Sequence, residues 1–267
     1  MEYFETGSRL KIPQIGLGTY DLKADAICNA IRAGYTLLDT AWQYRNESEV
    51  GCAVRKSGIR REEVAITTKV WTEDIRRGRV REELEESLKA LQTDYVDLYL
   101  IHWPAIGFER AWETMARLKE EGKVREIGVC NFEPHHFEEL ESVSGIVPVL
   151  NQIESHPYFQ NTELVQYCKE KGVLAQAWCP LGGSCSKLTE DPVFGELAKK
   201  HGKTPAQIIL RWHLQRGVWI IPRSGNQERQ RDNKELFDFA LDDADMEQID
   251  RMDTGHRIGA DPDCFNF

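Results

Sequence analysis

The sequence lacks the features that would direct the chain to a membrane or to nucleic acid. No apolar stretch approaches the roughly 20 residues that a membrane helix needs. The first residues, Met1-Glu2-Tyr3-Phe4-Glu5, contain neither a basic region nor an apolar core, so no signal peptide is predicted. An excess of positive charge is also missing, since the formal net charge is −10, and this argues against nucleic acid as a main partner. We therefore expect a cytoplasmic protein that binds neither membranes nor nucleic acid.

Paired cysteines are absent as well. The seven cysteines are scattered along the chain, and no two of them form a CxxC pair. An odd number of separated cysteines is typical of reduced thiols, and it favours neither a disulfide framework nor a metal site. The hydrophobic content of 41% is ordinary for a soluble globular protein. We expect a chain without a bound metal.

A regular alternation of two patterns runs through the chain. Apolar runs predict eight strands, at residues 15–20, 37–39, 64–69, 96–101, 124–129, 147–153, 173–178 and 218–221. Amphipathic helical patterns separate these runs, and the clearest cover residues 24–33 and 47–56. Such alternation indicates parallel βα units, and eight units in 267 residues fit an α/β fold, the (β/α)8 TIM barrel. We expect one barrel domain over residues 1–267, with a short hairpin at residues 3–13.

An open, doubly wound sheet is the alternative to the barrel. That fold usually carries a glycine fingerprint after its first strand. Gly16-Leu17-Gly18 lacks the third glycine of this fingerprint and does not lead directly into a helix. The closed barrel is therefore the preferred prediction.

Three of the predicted strands end in polar side chains. Asp39, Lys69 and His102 stand at these ends, and Tyr44 follows Asp39 in the next loop. If the strands are parallel and adjacent, the four side chains meet at one rim, where a crowded lysine needs a counter-charge such as Asp39. A lysine beside a tyrosine lowers the pKa of the phenol. Tyr44 is therefore a candidate proton donor near neutral pH.

The other predicted strand ends add aromatic and amide side chains to this rim. They are Tyr20, Trp71, Trp103, Asn131, Gln152 and Trp178. The set lacks a cluster of metal ligands, a glycosidase pair of carboxylates and a nucleophile-elbow motif. It suits hydride chemistry, in which a carbonyl needs a proton donor for its oxygen and a flat reductant beside its carbon. Under this hypothesis Tyr44 donates the proton and His102 orients the carbonyl.

Three short motifs carry a resemblance to a known family. They are Asp39-Thr40-Ala41-x-x-Tyr44-x-Asn46-Glu47, Thr68-Lys69 and Ile101-His102-Trp103-Pro104. In this order they resemble the aldo-keto reductase family, and the resemblance covers nearly the whole chain. It implies a barrel whose bottom is plugged by the N-terminal hairpin. It also implies nicotinamide contacts from Asn131, Gln152 and Trp178, with Asp39 touching the ribose. Buried structural amides and plain core packing remain the alternatives for these three contacts.

Two further stretches offer donors for the phosphates of a dinucleotide. Leu181-Gly182-Gly183-Ser184 presents backbone N–H groups that suit a pyrophosphate, or it is only a flexible loop. Residues 221–226, with Arg229 and Asn233, resemble the adenosine 2′-phosphate site of the family. Arg223, Ser224 and Arg229 would give that phosphate charge-assisted hydrogen bonds, so NADPH is the expected cofactor. The family often has a lysine where Arg223 stands.

The substrate pocket is expected to be apolar and aromatic. Its predicted lining is Tyr20, Trp42, Trp71 and Trp103, together with the tail residues Phe265 and Phe267. Such a cup discriminates weakly between analogues that differ by one methylene. We therefore expect a broad reductase for aldehydes and activated ketones. Packing at the barrel rim is the alternative role for Trp71 and Trp103.

Two departures from the family pattern bear on this site. Cys130 stands where the family commonly has serine, and the connection that follows His102 is very short. The first change predicts the loss of a weak carboxamide contact, and the second predicts a pocket that is open on one side.

Two other functions compete with carbonyl reduction. One is a cofactor-binding regulatory or scaffold barrel without significant turnover, and the complete four-residue set at the rim speaks against it. The other is an isomerase or aldolase that uses Lys69 as a Schiff base, which would leave Tyr44 and the cofactor-like residues without a role. We expect a monomer that acts on a small carbonyl compound.

Overall fold

Ten strands of the described residues form a hairpin and a barrel. The computed structural model describes residues 3–7, 10–183 and 187–265. β1 (Tyr3–Glu5) and β2 (Lys11–Pro13) pair antiparallel in the hairpin predicted at the N-terminus. The parallel strands are β3 (Leu17–Gly18), β4 (Leu37–Asp39), β5 (Ala65–Val70), β6 (Val96–Ile101), β7 (Val124–Cys130), β8 (Leu150–Glu154), β9 (Leu174–Trp178) and β10 (Trp219–Ile220).

The eight parallel strands close on themselves. Each strand pairs with its neighbours in chain order, from β3 to β10. The backbone N–H of Gly16 then donates to the carbonyl oxygen of Ile220 at 2.9 Å, and that of Gly18 donates to Pro222 at 3.2 Å. These hydrogen bonds join the first strand to the last, so the predicted (β/α)8 barrel is confirmed.

Eleven α-helices of the described residues accompany the strands. They are α1 (Ala24–Arg32), α2 (Glu47–Ser57), α3 (Thr72–Arg77), α4 (Val80–Leu91), α5 (Phe108–Glu120), α6 (Pro134–Ser144), α7 (Thr162–Glu170), α8 (Pro192–His201), α9 (Pro205–Gln215), α10 (Gln227–Asp232) and α11 (Asp243–Asp250). α1 and α2 end within one residue of the predicted bounds. The short α3 was not predicted, because its six residues carry no full amphipathic repeat. None of the helices in the described ranges is both long and apolar enough to span a membrane.

The hairpin closes the bottom of the barrel. Phe4 of β1 meets Trp219 of β10 edge-on, with ring centroids 6.0 Å apart. Ile12 of β2 is fully buried in the same cluster as Leu98 and Leu150, which point into the barrel. β5 and β6 are buried along their whole length, because one face of each strand packs against the helices and the other faces the barrel interior. The open end is therefore the opposite, C-terminal rim.

The segment after α11 crosses this rim. We call residues 254–265 the C-terminal strap. It starts with a hydrogen bond from the backbone N–H of Thr254 to the carbonyl oxygen of Tyr158, at 3.1 Å. It ends with Phe265, which stacks on Trp103 with centroids 4.1 Å apart and planes 5° apart. The strap thus reaches from the β8 side of the rim to the β6 side.

Candidate active site

A buried ion pair lies at the centre of the rim. The Lys69 side chain is 0% exposed and that of Asp39 is 2% exposed. Lys69 Nζ lies 2.6 Å from Asp39 Oδ1 and donates a second hydrogen bond to the carbonyl oxygen of Thr40 at 2.9 Å. A third contact joins Nζ to the Tyr44 hydroxyl at 3.4 Å. Lys69 thus contacts two of the other three residues that were predicted to meet at this rim.

This pair controls the charge around Tyr44. Burial lowers the pKa of Lys69, but Asp39, Tyr44 and Cys130 together outweigh it and the net shift is upward, so the ammonium keeps its proton. Burial raises the pKa of Tyr44 to about 12, because lost hydration outweighs the stabilisation of phenolate by Lys69. The predicted net lowering of the Tyr44 pKa is therefore wrong, although the contribution of Lys69 has the predicted sign. The phenol is protonated at neutral pH and retains the proton it would donate.

His102 faces the same cup as a neutral ring. Its centroid lies 5.8 Å from that of Tyr44 and 5.2 Å from that of Trp71, edge-on to both. Burial lowers the pKa of His102 well below its ordinary value of 6.5, and the positive charge of Lys69 lowers it further. A neutral imidazole can donate one hydrogen bond to a carbonyl oxygen without adding charge.

Four aromatic side chains form most of the cup around Tyr44, namely Tyr20, Trp71, Trp103 and Phe265. Tyr20 meets Tyr44 edge-on at 5.2 Å, Trp71 meets Phe265 at 6.1 Å, and Phe265 stacks on Trp103. The structure does not bring Trp42 into this group. Its indole N–H donates to Glu86 on α4 at 3.2 Å, and the Arg45 guanidinium lies 3.5 Å over its ring.

The substrate roles of Tyr20, Trp42, Trp71, Trp103 and Phe265 remain predictions. Phe267 lies outside the described residues.

The predicted nicotinamide contacts already form a hydrogen-bonded network. Gln152 Nε2 donates to Asp39 Oδ2 at 2.7 Å and to Gln176 Oε1 at 2.9 Å. Asn131 Nδ2 donates to the carbonyl oxygen of His102 at 3.1 Å, and Asn131 Oδ1 accepts from the Trp178 indole at 2.8 Å. Asn131 has φ of 61°, a left-handed conformation that asparagine tolerates. The network fixes the orientation of the amides and of the indole.

Cys130 lies at the end of β7 beside this network. It is 1% exposed, and burial raises the pKa of its thiol. A neutral thiol is a weak donor, and the loss of a carboxamide contact at this position remains a prediction.

Three buried acids behind the rim were not predicted. Glu83 is 0% exposed, and its two oxygens each accept the Trp71 backbone N–H at 3.1 Å. Burial raises the pKa of Glu83 to about 10, and Asp74 adds to the shift. Glu47 accepts a hydrogen bond from Thr68 at 2.6 Å. A signal for Glu83 was present in the sequence, because it falls on the same face of α4 as Val80, Leu84, Leu88 and Leu91.

The predicted pyrophosphate loop turns tightly. Gly182 has φ of 74° and Gly183 has φ of 69°, and both values favour glycine. The N–H of Gly182 donates to the carbonyl oxygen of Cys179 at 2.8 Å, so it is not free in this structure. Leu181 packs at the junction of two core clusters. Ser184 lies outside the described residues.

The predicted 2′-phosphate site contains one arginine that is engaged and one that faces solvent. Arg223 donates to the carbonyl oxygen of Tyr20 at 2.5 Å and pairs with Asp21 at 3.2 Å. Arg229 is exposed on α10. Ser224 and Asn233, which flank α10 in the chain, are buried, at 7% and 4% exposure. Both arginines are exposed, and the role of each at a 2′-phosphate remains a prediction.

One further polar group, among the described residues, has the spacing of metal ligands. It consists of His135, His136 and Asp263. His136 Nδ1 accepts the backbone N–H of Glu133 at 3.0 Å, so the neutral ring carries its proton on Nε2, towards Asp263. A histidine ligand normally donates from its second nitrogen, and here that nitrogen accepts. The group therefore serves better as a hydrogen-bonded contact between α6 and the strap.

The site fits a nicotinamide dinucleotide. Trp178, the last residue of β9, is half-buried and offers a flat face at the rim, and Arg229 is an exposed cation on α10, the helix that follows β10. Together the barrel and its rim define a (β/α)8 oxidoreductase. The family model described as the Aldo/keto reductase family matches residues 14–254. The chain belongs to this family, and the resemblance stated from the sequence is confirmed.

Curated relatives and a solved structure agree with this assignment. The chain is 44% identical over 263 residues to the 9,11-endoperoxide prostaglandin H2 reductase of Trypanosoma cruzi (strain CL Brener), covering 96% of this chain and 93% of the relative. It is 43% identical over 261 residues to the methylglyoxal reductase DkgA of Salmonella typhimurium, covering 95% and 94%. An aldo-keto reductase from a Medee basin deep-sea metagenome library has a TM-score of 0.95 at 38% identity, with 99% of this chain and 100% of that chain covered. The chain is therefore an NAD(P)H-dependent oxidoreductase.

The burial of His102 predicts a pH-dependent stability. A histidine in the unfolded chain titrates near 6.5, whereas His102 does so well below that value. Below pH 6.5 the unfolded chain binds a proton at this histidine that the folded chain does not bind. The free energy of unfolding therefore decreases as pH falls. We expect the wild type to lose up to about 1.4 kcal/mol per pH unit relative to His102→Asn between pH 6 and 5. Urea unfolding at pH 7.5 and 5 measures this, with the exposed His256→Asn as control. An equal stability difference at both pH values contradicts the neutral buried ring.

Proposed function

We propose that this chain is an NADPH-dependent carbonyl reductase in which Tyr44 donates the proton. The observation that carries the proposal is the contact of the Tyr44 hydroxyl with Lys69, whose charge is held by Asp39 at 2.6 Å. This phenol lies in an aromatic cup beside a neutral histidine. Protonated phenol, positive lysine and neutral imidazole are the states that carbonyl reduction needs.

Each side chain has one task in the proposed reaction. His102 donates a hydrogen bond to the substrate oxygen and orients the carbonyl. When bound, the nicotinamide cofactor supplies the hydride for the carbonyl carbon. Tyr44 transfers its hydroxyl proton to the carbonyl oxygen, which leaves phenolate. Lys69 stabilises that phenolate, since the attraction between opposite charges strengthens where water is excluded.

The charge of Lys69 argues against the Schiff-base alternative. An amine must lose its proton before it attacks a carbonyl, and enzymes achieve this by lowering the lysine pKa. Here the pKa of Lys69 is raised by Asp39. The regulatory alternative finds no support either, since the relatives named above are reductases.

NADPH is the proposed cofactor. Arg229 is exposed on α10, which lies between Ser224 and Asn233 in the chain, and only NADPH carries a 2′-phosphate for it. Arg223 would join it after leaving Asp21, a surface pair that costs little to break.

The proposed substrates are small aldehydes and activated ketones, including α-dicarbonyl compounds. The aromatic cup binds by area and shape, and its polar groups address one carbonyl oxygen. The name of the Salmonella relative, methylglyoxal reductase, points to the same class. A monomeric state and a cytoplasmic location remain predictions.

Removal of the phenol tests the proton donor. We expect Tyr44→Phe to lower kcat by about 10²–10⁴-fold, the usual contribution of general acid catalysis, with little change in NADPH affinity. NADPH consumption with methylglyoxal measures the rate, and fluorescence titration measures the affinity. The matched control is Tyr95→Phe, because Tyr95 lies between Arg61 and Arg125 at 4.2 and 4.3 Å, away from the cup. Near-normal turnover by Tyr44→Phe, with chemistry rate-limiting, refutes the assignment.

Removal of the exposed arginine tests cofactor preference. A charge-assisted hydrogen bond is worth roughly 1.5–3 kcal/mol, so we expect Arg229→Ala to weaken NADPH binding about tenfold or more and to leave NADH binding unchanged. The control is Arg231→Ala on the same helix, because Arg231 lines a cavity with Asn29 and Arg32 instead. Dissociation constants for both cofactors are the measurement. Equal losses for NADPH and NADH would mean that Arg229 does not read the phosphate.

A further inference from the structure

The C-terminal strap is held by a buried carboxylate. Glu154, the last residue of β8, is 1% exposed. Its Oε1 accepts the backbone N–H of Ile258 at 2.6 Å, and its Oε2 accepts that of Gly259 at 2.9 Å. His156 Nε2 lies 3.1 Å from Oε1. One carboxylate therefore binds two successive amides of a segment more than 100 residues away along the chain.

The bound part of the strap presses on Trp178. A Cβ built at Gly259 would lie 2.5 Å from Trp178 Cη2 and 2.8 Å from Glu154 Oε2. Only glycine fits there without displacing the indole or the carboxylate. The main chain of Gly259 is therefore in close contact with the six-membered edge of the indole.

The five-membered ring of the indole is held by a second contact. Trp178 Nε1 donates to Asn131 Oδ1 at 2.8 Å, and Asn131 Nδ2 donates to the His102 carbonyl oxygen at 3.1 Å. The indole is thus held at its five-membered ring by Asn131 and at its six-membered ring by Gly259. Loss of either contact leaves the ring free to tilt about the remaining one.

The strap also touches both halves of the site. A Cβ at Gly183 would lie 3.3 Å from Ile258 Cδ1, which brings the strap against the predicted pyrophosphate loop. Arg257 pairs with Glu133 at 3.0 Å. Further on, Phe265 covers Trp103 in the cup. One continuous segment therefore connects the cofactor side of the rim to the substrate side.

The charge of Glu154 is maintained despite its burial. Burial raises the pKa of Glu154, but the hydrogen bonds from His156 and from the two strap amides outweigh it, and the net shift is downward. The anion is therefore present at neutral pH, and charge-assisted hydrogen bonds are stronger than neutral ones.

We propose that Glu154 is a positioning residue that holds Gly259 against Trp178 and so fixes the face on which the nicotinamide rests. This inference rests on the proposed function. Glu154 touches no reacting atom. It acts through the strap, which couples the orientation of Trp178 to the closure of the substrate cup by Phe265.

Two variants disrupt the contact between Glu154 and the strap, one by changing the carboxylate and one by changing the strap. Glu154→Gln keeps one acceptor oxygen and places an NH2 group opposite the other strap amide. Gly259→Ala leaves the carboxylate intact and pushes the strap from the indole. Their matched controls are Glu126→Gln, an equally buried acid that pairs with Lys119 at 2.6 Å, and Gly195→Ala, where a Cβ meets nothing within 4 Å.

Hydrogen–deuterium exchange and cofactor binding are measured on the full-length protein. We expect both variants to exchange faster at residues 257–260 without cofactor. The dissociation constants of NADPH and NADH should rise by the same factor, about tenfold for the 1.4 kcal/mol that such a factor represents. An equal loss of affinity for NADPH and NADH indicates a displaced Trp178, because both cofactors carry the nicotinamide. Damage at the adenosine end would affect the two cofactors differently, because only NADPH carries the 2′-phosphate. The controls should match the wild type in both measurements.

Three results would overturn the proposal. They are unchanged exchange in both variants, faster exchange with unchanged cofactor affinity, and a loss that favours one cofactor. If Glu154→Gln does not fold, Gly259→Ala decides alone. If the wild type binds NADPH but reduces no aldehyde, the proposed function is wrong. The exchange and affinity measurements still test the role of Glu154 in that case.

Discussion

The ion pair between Lys69 and Asp39 is the interaction on which the site depends. Two charges at this depth lose nearly all their hydration, and only a close partner with further hydrogen bonds offsets that loss. Asp39 supplies the partner at 2.6 Å, while Thr40 and Gln152 satisfy the remaining lone pairs and protons. Removal of one partner would leave an uncompensated buried charge, which costs about 3–5 kcal/mol.

Barrel closure makes this pair possible. Asp39 ends β4 and Lys69 is the fifth residue of β5, and the register of these neighbours places Asp39 opposite Thr67. Lys69 then reaches back across the rim to Asp39. Glu83 accepts a hydrogen bond from the backbone N–H of Trp71, and Glu47 accepts one from the Thr68 hydroxyl. These contacts hold the chain on either side of Lys69. A rigid lysine presents its charge to Tyr44 without any rearrangement during the reaction. Preorganised charges of this kind are the main source of electrostatic catalysis.

Much of this arrangement could be predicted from the sequence, because it depends on strand ends. Apolar runs that stop at Asp39, Lys69 and His102 indicate both the barrel and the residues on its rim. The net pKa of Tyr44 could not be predicted, because it depends on how desolvation compares with the charge of Lys69. The pairing of Arg223 with Asp21 and the solvent-facing placement of Arg229 also depend on side-chain directions that spacing does not contain.

The role of Glu154 lay beyond sequence reasoning for a related reason. Its partners, the amides of Ile258 and Gly259, are main-chain groups without any residue signature. An acid at the end of β8 is by itself indistinguishable from a solvated loop residue. Only the folded chain shows that the strap returns to it and covers the edge of Trp178.

A double-mutant cycle tests most directly whether Lys69 acts through Tyr44. Single-turnover rates of NADPH oxidation are compared for wild type, Tyr44→Phe, Lys69→Met and the double variant, each shown to be folded by circular dichroism. Residues that act as one unit are strongly non-additive. The account predicts that the double variant reacts at the rate of Tyr44→Phe, within about threefold. Losses that multiply in the double variant would show that the two residues act independently and would contradict it.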